Sequence, residues 1–415
     1  MVEFLAMAVV ALVAFMTARH PRVRRIWVLL AAACLAAELI EVDIEAAEAA
    51  AVVQQRARRR RWWQLALLRR APQKRVSGGD RSYRGRRRFG AASGYGAELA
   101  ESNVGLSPSE FIEHFRFARE DIPRLCRALR IPDEFRSPNR CVCEGEEALS
   151  LYLKRLSYPN RWCDMAFFFS ASEGWCSEIC KEVEEHLFRF SWHLTHEMDE
   201  ARIRPMVPLF AEAVRRKGAP MPGIMGFLDG TFRHFCRPSV DGYNGIAQQM
   251  QYSGHKHEHG YNYQGVVTPD GIIVEMNGPY EGRTNDKRMV QESQILDRIA
   301  RWFPGYYLFG DRGYDHGNPA LQTPFNGAVI TPAQVAYNRT MSNIRLPVEW
   351  AFGKVSQLWG FIDYDKNLKL YQQQVAKFYL NAVLLTNCHS CLYGCETSLY
   401  FGVPTPDLED YLYNA

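Results

Sequence analysis

Three acidic residues of this sequence occur in settings that would bring their carboxylates together. Asp229 follows the apolar run GIMGFL, Asp311 follows the aromatic run YYLFG, and Glu349 lies in a segment of helical pattern. Carboxylates that meet at the ends of neighbouring strands repel one another unless a cation neutralises them. Mg²⁺ prefers such oxygen ligands, and two ions roughly 4 Å apart can activate water and stabilise the leaving oxygen of a phosphodiester. The alternative is three unrelated caps or surface acids, since Asp-Gly is a common turn.

A few predicted elements would position these acids. The apolar run before Asp229 predicts a buried strand that ends at the Asp-Gly pair, and YYLFG predicts another that ends before Asp311. Two β-rich runs around the Pro-Asp-Gly turn at 269–271 predict a hairpin. These elements belong to a second domain that is predicted to begin at residue 218. Its helical patterns cover 289–303, 338–361 and 370–393. The second of these helices carries Glu349, and a C-terminal tail is predicted at 396–415.

A helical region is predicted before this domain, at 107–215. Ser107 or Ser109 can cap its first helix, and Ser172 can cap a long one. The helical segments are 107–132, 146–158, 161–170 and 172–190. A short helix, a turn and a longer helix are the outline of a helix-turn-helix. The alternative is a structural helical bundle, because four glutamates suit a groove-reading helix poorly.

The net charge of the 415-residue chain is +4, but it is unevenly distributed. Residues 56–88 hold fourteen Lys or Arg against one acid, a local charge of +13, whereas residues 1–55 carry −2 and residues 89–415 carry −7. This asymmetry predicts a flexible basic arm over 56–106 that binds a polyanion. Two tryptophans within the arm could stack on bases. A solvated tail without a partner is the alternative.

The cysteines and the N-terminus bear on the compartment. Eleven cysteines, an odd number without framework spacing, indicate reduced thiols inside a cell. The apolar runs 4–16 and 26–37 are shorter than a membrane span requires, and Glu3 stands where a signal peptide would have positive charge. The segment 1–55 is therefore predicted to form Ala-rich helices of low order, with a membrane or targeting segment and a gene-prediction artefact as alternatives.

Four short motifs occur in order along the chain: GFLDGT, GRTND, LFGDRGY and RLPVEWAFG. Together they resemble the signature of the PIF/Harbinger-type transposases and their domesticated relatives, in the DDE superfamily of endonucleases. Each motif is weakly specific alone, whereas the ordered set is strongly specific, and the resemblance spans about 108–395. The sequence departs from the family pattern at Arg312, where a small residue is usual, and at Trp350, which follows Glu349.

The resemblance implies a fold, a set of ligands and an activity. The fold would be mixed α/β and RNase H-like, with a central mixed sheet flanked by helices at 218–395. Asp229, Asp311 and Glu349 would be the catalytic residues and the ligands of two divalent ions, Mg²⁺ or Mn²⁺. Asp286, in the GRTND turn, is the rival second acid and is otherwise a loop-shaping residue. The activity would be that of a transposase, which cleaves and joins phosphodiesters at transposon ends.

Partners and location follow from the same resemblance. Double-stranded DNA with terminal inverted repeats would be the substrate, in the nucleus, and a homo-oligomer and a separate Myb-like DNA-binding protein would be the protein partners. The candidate DNA-binding residues are Arg58, Arg59, Arg60, Arg61, Arg86, Arg87, Arg88, Lys256, Arg339 and Lys354. Arg345, one helical turn before Glu349, is expected to pair with it. A captured DNA-binding or scaffold protein without catalysis, and a membrane-tethered protein with a relic nuclease domain, are the alternatives.

Two Cys- or His-rich stretches are weaker metal candidates. His255, His257 and His259 alternate, so on a strand they would share one face. The alternatives to zinc there are a phosphate contact and plain surface. Cys388 and Cys391 form a Cys-x-x-Cys pair beside a histidine, but no second pair is well placed for zinc, which favours a buried helix end.

Overall fold

The structure, a computed structural model, describes residues 106–238, 246–314, 317–327, 329–370 and 373–413. Several predictions fall outside these residues and stay predictions: the apolar runs at 4–16 and 26–37, and the basic arm with Arg58, Arg59, Arg60, Arg61, Arg86, Arg87 and Arg88. Among the helices that are described, none combines the length and the apolar character that a membrane crossing requires.

The N-terminal described region consists mainly of helices, with one small hairpin. The helices are α1 (Pro108–Phe115), α2 (Ile122–Ala128), α3 (Gly145–Ser157), α4 (Trp162–Phe168), α5 (Glu173–Thr195), α6 (Glu200–Ile203) and α7 (Val207–Arg216). The hairpin strands β1 (Glu134–Arg136) and β2 (Val142–Glu144) pair antiparallel. The Ser107 side chain caps α1 and the Ser172 side chain caps α5, which confirms both predicted helix starts.

A mixed sheet forms the centre of the following region. Its strands are β3 (Ile224–His234), β4 (Tyr252–Ser253), β5 (Glu258–Val267), β6 (Ile273–Glu281), β7 (Tyr307–Phe309) and β8 (Leu321–Gln322). β3 lies between β5, which is antiparallel to it, and β7, which is parallel to it. β6 pairs antiparallel with β5, and β8 pairs parallel with β7. The predicted hairpin is confirmed as β5 and β6.

Helices flank this sheet. They are α8 (Ile246–Gln251), α9 (Asp286–Ser293), α10 (Ile295–Trp302), α11 (Pro332–Leu358), α12 (Val375–Tyr393), α13 (Glu396–Phe401) and α14 (Leu408–Tyr413). α11 begins at a Thr331 capping box and continues through Pro347. It contacts β3, α12 and α13, so its sheet-facing side is held against the central strand. A central mixed sheet flanked by helices fits the fold of a DDE nuclease.

The structure differs from the predicted elements at several points. The segment 107–132 is two helices, α1 and α2, and the helix predicted at 338–361 begins earlier, at Pro332. β3 continues five residues beyond Asp229, because its antiparallel pairing with β5 extends to His234; the apolar run marks only the buried part. The helical pattern at 289–303 is two helices, α9 and α10, which are separated at Gln294 with φ of 54°. The predicted tail at 396–415 contains α13 and α14, which bury apolar side chains against the rest of the molecule.

The long helix of the predicted helix-turn-helix is a packing element. α5 contacts α3, α12 and β6, and the Lys377 ammonium on α12 donates to Glu185. The buried Asn381 on α12 donates to the Glu184 carbonyl and to the Tyr152 hydroxyl, each at 3.0 Å. Among the glutamates of α5, Glu185 therefore has a structural role as the partner of Lys377. Recognition of DNA by this region, and a domain boundary near residue 216, stay predictions.

Candidate active site

Asp229 and Asp311 are brought together by the parallel pairing of β3 with β7. Phe227 on β3 is the register partner of Phe309 on β7, and each acid follows its phenylalanine by two residues. Parallel strands keep such an offset, and neighbouring strands lie about 4.8 Å apart. Asp229 on β3 and Asp311 just after β7 therefore lie near one another, and the charge of Asp311 acts on Asp229. Asp311 follows the end of its strand as predicted, whereas Asp229 lies within β3 at the point where its burial ends.

Asp286 joins these two acids from the first residue of α9. The Asn285 side chain caps this helix by accepting from the Arg288 backbone N–H. A Cβ added to Gly230 would stand 2.8 Å from Asp286 Oδ1. A Cβ added to Gly313 would stand 2.8 Å from Asp286 Oδ2 and 3.1 Å from Asp311 Oδ1. Asp286 and Asp311 therefore face one another across Gly313, and glycine leaves the room for both.

The charges of all three aspartates act on the buried phenol of Tyr314. Burial raises the pKa of Tyr314 well above its usual value, and the charges of Asp286, Asp229 and Asp311 raise it further. Gln264 Nε2 donates to the Tyr314 hydroxyl at 3.4 Å. A single side chain that is influenced by three carboxylates indicates that all three surround one region of the molecule. We define Asp229, Asp286 and Asp311 as the aspartate cluster.

Burial and mutual repulsion disfavour the charged forms of Asp229 and Asp286. Burial raises the pKa of Asp229 to about 6; repulsion from Asp311 raises it too, while the Arg345 guanidinium lowers it. Burial also raises the pKa of Asp286, again with repulsion from Asp311, although Lys256 and His255 act in the opposite direction. Buried carboxylates that repel one another are stabilised by a shared cation.

Glu349 is linked to the aspartate cluster through Arg345. On α11, Arg345 Nη2 donates to Glu349 Oε1 at 2.8 Å, which confirms the pairing expected from their spacing. Arg345 Nη1 donates to Asp229 Oδ2 at 2.8 Å. The Glu349 side chain is 52% exposed, whereas that of Asp229 is 16% exposed. The guanidinium thus stands between Asp229 and Glu349.

In this conformation, the described residues contain no group of three His, Cys, Asp or Glu side chains that is arranged to hold a metal ion. At the candidate site, Asp229 and Glu349 both accept hydrogen bonds from the Arg345 guanidinium. The chemistry of the donors nevertheless suits a hard cation, because every one is a carboxylate oxygen. Gly230 and Gly313 leave open the space beside those oxygens.

The predicted DNA-contacting residues that the structure describes differ in their surroundings. Lys256 is exposed in the turn before β5, near Asp286, and Arg339 is exposed on α11. Lys354 is partly buried, and its Nζ donates to Ser390 Oγ at 3.0 Å and to the Gly394 carbonyl at 2.9 Å. Lys354 therefore ties α11 to the end of α12, and its contact with DNA stays a prediction.

The Cys and His stretches have separate environments. His255 and His257 are exposed, whereas His259 lies on β5, so the three are not gathered on one strand. Cys388 is buried in α12, and burial raises the pKa of its thiol well above the usual value. Burial also raises the pKa of the Cys176 thiol on α5 to about 12. Burial and raised pKa values are typical of unreactive core thiols.

Sequence reasoning treated Asp286 mainly as a loop-shaping residue, and it missed Gly313 and Tyr314. The structure places all three in or beside the aspartate cluster. The available signals were local: Asp286 lies in GRTND, and Gly313 and Tyr314 lie in GDRGY. The role of these residues in the site could be recognised only once the turn after β6 was known to lie beside the turn after β7.

Gly313→Ala is expected to reduce metal-dependent activity about 10- to 100-fold without unfolding the protein, because its Cβ would displace the ends of two acidic side chains and not backbone. Gly353→Ala is the matched control, since a Cβ there meets nothing within 4 Å. Activity and thermal unfolding of both variants are measured side by side. Equal activity of the two variants would contradict the crowded geometry at Gly313.

Comparison with known families matches part of the chain. Residues 228–387 match the model of the DDE superfamily endonuclease family. The matched segment contains the aspartate cluster, Arg345 and Glu349. No curated protein and no solved structure matches the chain. The match supports the superfamily and a nuclease of the transposase kind, at a coarser level than the PIF/Harbinger subtype.

Proposed function

We propose that this chain is a metal-dependent DNA endonuclease and transposase of the PIF/Harbinger type, which cleaves and joins phosphodiesters at transposon ends. The observation that carries the proposal is the aspartate cluster: Asp286 and Asp311 meet beside Gly313, and the charge of Asp311 acts on Asp229 of the neighbouring strand β3. The family match over 228–387 supports its coarser part, an endonuclease of the DDE superfamily. Both lines of support concern the same residues, so the proposed chemistry belongs to this edge of the sheet.

The aspartate cluster is the proposed binding site for Mg²⁺ or Mn²⁺. Asp229, Asp286 and Asp311 supply carboxylate oxygens, and Glu349 completes the set when its carboxylate leaves Arg345. Divalent ions in such a site would activate water and neutralise charge on a phosphodiester. The protein's own contribution is to hold four acids on β3, just after β7, on α9 and on α11, and to keep the neighbouring Tyr314 phenol uncharged.

The surroundings of the site suit a phosphodiester substrate. Lys256 and His255 lie near Asp286, where positive charge would attract the DNA backbone. Arg339 on α11 is exposed and would add a contact that positions DNA without reading its sequence. The basic arm at 56–88 would supply further salt-sensitive affinity. Nuclear location, a homo-oligomer and a Myb-like partner belong to the same proposal.

The test uses the full chain and DNA that carries terminal inverted repeats, taken from the flanks of its gene if such repeats occur there. We expect strand cleavage at the repeat ends with Mg²⁺ or Mn²⁺ and none with EDTA. A gel assay with end-labelled DNA measures the product and its position. Metal-independent cleavage would contradict the proposed metal site. DNA binding without cleavage under all these conditions would favour the non-catalytic alternative.

A further inference from the structure

Arg345 engages two acids of the candidate site with one guanidinium. Its Nη1 donates to Asp229 Oδ2 and its Nη2 donates to Glu349 Oε1, each at 2.8 Å. The other oxygen of Asp229 accepts from the Gly230 backbone N–H at 3.0 Å. Both oxygens of Asp229 are therefore already hydrogen-bonded, and the carboxylate of Glu349 is held on the guanidinium.

A guanidinium in this position competes with a divalent cation. Arg carries its positive charge at every accessible pH. A cation bound to Asp229 and Glu349 would lie next to that charge, and the repulsion is strong where the surroundings are partly buried. Asp229 is such a place, since its side chain is 16% exposed. Metal binding by both acids therefore requires that the Arg345 side chain moves away from them.

A DNA phosphate is the partner that suits the displaced side chain. The planar guanidinium fork binds phosphate through two parallel hydrogen bonds, as it binds carboxylates. The Arg345 side chain is 19% exposed and its partner Glu349 is 52% exposed, so the pair can be approached from solvent. A phosphodiester bound at the aspartate cluster would place its phosphate beside the Arg345 guanidinium.

We propose that Arg345 couples DNA binding to metal binding. In the free protein it neutralises Asp229 and Glu349; a DNA phosphate draws it away, and the two carboxylates then become available to the metal. This inference rests on the proposed function, because it takes these acids to be metal ligands. Thermodynamic linkage requires that DNA raises metal affinity and metal raises DNA affinity by the same factor.

The experiment measures Mn²⁺ affinity by titration calorimetry, without DNA and with a short duplex of unrelated sequence. The pH is kept well above the Asp229 pKa of about 6, so that protonation does not contribute. Without DNA, Arg345→Gln is expected to bind Mn²⁺ at least about tenfold more tightly than the unaltered protein. The duplex should tighten Mn²⁺ binding by the unaltered protein and have little effect on Arg345→Gln.

Two further variants separate charge from position. Arg345→Lys keeps the charge without the fork, and we expect weak Mn²⁺ binding in the free protein with part of the DNA effect lost. Arg301→Gln removes the same charge from an exposed position on α10, and its free-protein Mn²⁺ affinity should equal that of the unaltered protein. Circular dichroism checks that each variant is folded.

The outcomes distinguish this inference from the proposed function. Equal or weaker Mn²⁺ binding by Arg345→Gln relative to the unaltered protein overturns the coupling, as does an equal DNA effect in both proteins. If every variant fails to bind Mn²⁺ both with and without DNA, the proposed metal site itself is wrong.

Discussion

Asp311→Asn is expected to abolish metal-dependent cleavage while DNA binding is retained. Charge stabilisation by a bound ion is worth several kcal/mol, and each 1.36 kcal/mol is a tenfold change in rate, so the loss should reach about 10³-fold. The substitution preserves local structure, because Asp311 Oδ1 accepts from the Gly313 backbone N–H at 2.8 Å and an amide oxygen can do the same. Cleavage rate and DNA affinity are measured on one preparation.

The same variant should not lose stability. Repulsion from Asp311 contributes to the raised pKa values of both Asp229 and Asp286, and the neutral amide removes it. The free energy of unfolding in the absence of metal should therefore stay the same or rise, as is common for strained functional sites. Asp297→Asn, at an exposed position of α10, is the control and should keep its activity. Cleavage by Asp311→Asn at the unaltered rate would remove Asp311 from the site.

Asp286→Asn is expected to have the second-largest effect, a loss of about 10- to 100-fold in cleavage together with weaker Mn²⁺ binding by the free protein. That range is the usual cost of removing a group that supports a metal site, and a direct ligand would lie at its upper end. The reason is the position of Asp286, whose two oxygens approach Gly230 and Gly313 beside Asp311. A purely loop-shaping residue would change stability and leave metal affinity unaltered.

Glu349→Gln is the informative comparison for Asp286→Asn. In the free protein, the Glu349 carboxylate is paired with Arg345 and not with the aspartate cluster. Its amide variant should therefore change free-protein Mn²⁺ affinity less than Asp286→Asn does, although cleavage of DNA should fall in both. Titration calorimetry and the gel assay together give the two readouts. The reverse order of Mn²⁺ affinities would make Glu349 the primary ligand.

Local sequence patterns predicted most of the strands and helices that position the candidate site. The apolar runs before Asp229 and Asp311 predicted β3 and β7, since buried strands show as continuous apolar runs. The turn at 269–271 predicted the hairpin of β5 and β6. The pairing of Arg345 with Glu349 followed from a spacing of one helical turn. Each inference used residues that are neighbours along the chain.

Strand and helix limits were less accurate where a distant partner decides them. β3 extends past Asp229 because β5 continues to pair with it as far as His234. The chain after residue 396 forms helices whose apolar side chains are buried, although it resembled a tail in sequence. Pairing and burial of this kind depend on segments far apart in the chain, so periodicity within one window does not contain them.

By itself, the sequence determined which acids follow buried strands, which one lies on a long helix, and that the motifs occur in the order of a DDE nuclease. Only the tertiary structure decided that Asp286 faces Asp311 and that Arg345 stands between Asp229 and Glu349. The physical reason is that both arrangements require separate elements to dock. Arg345 and Asp229 are 116 residues apart and meet only because α11 packs against β3.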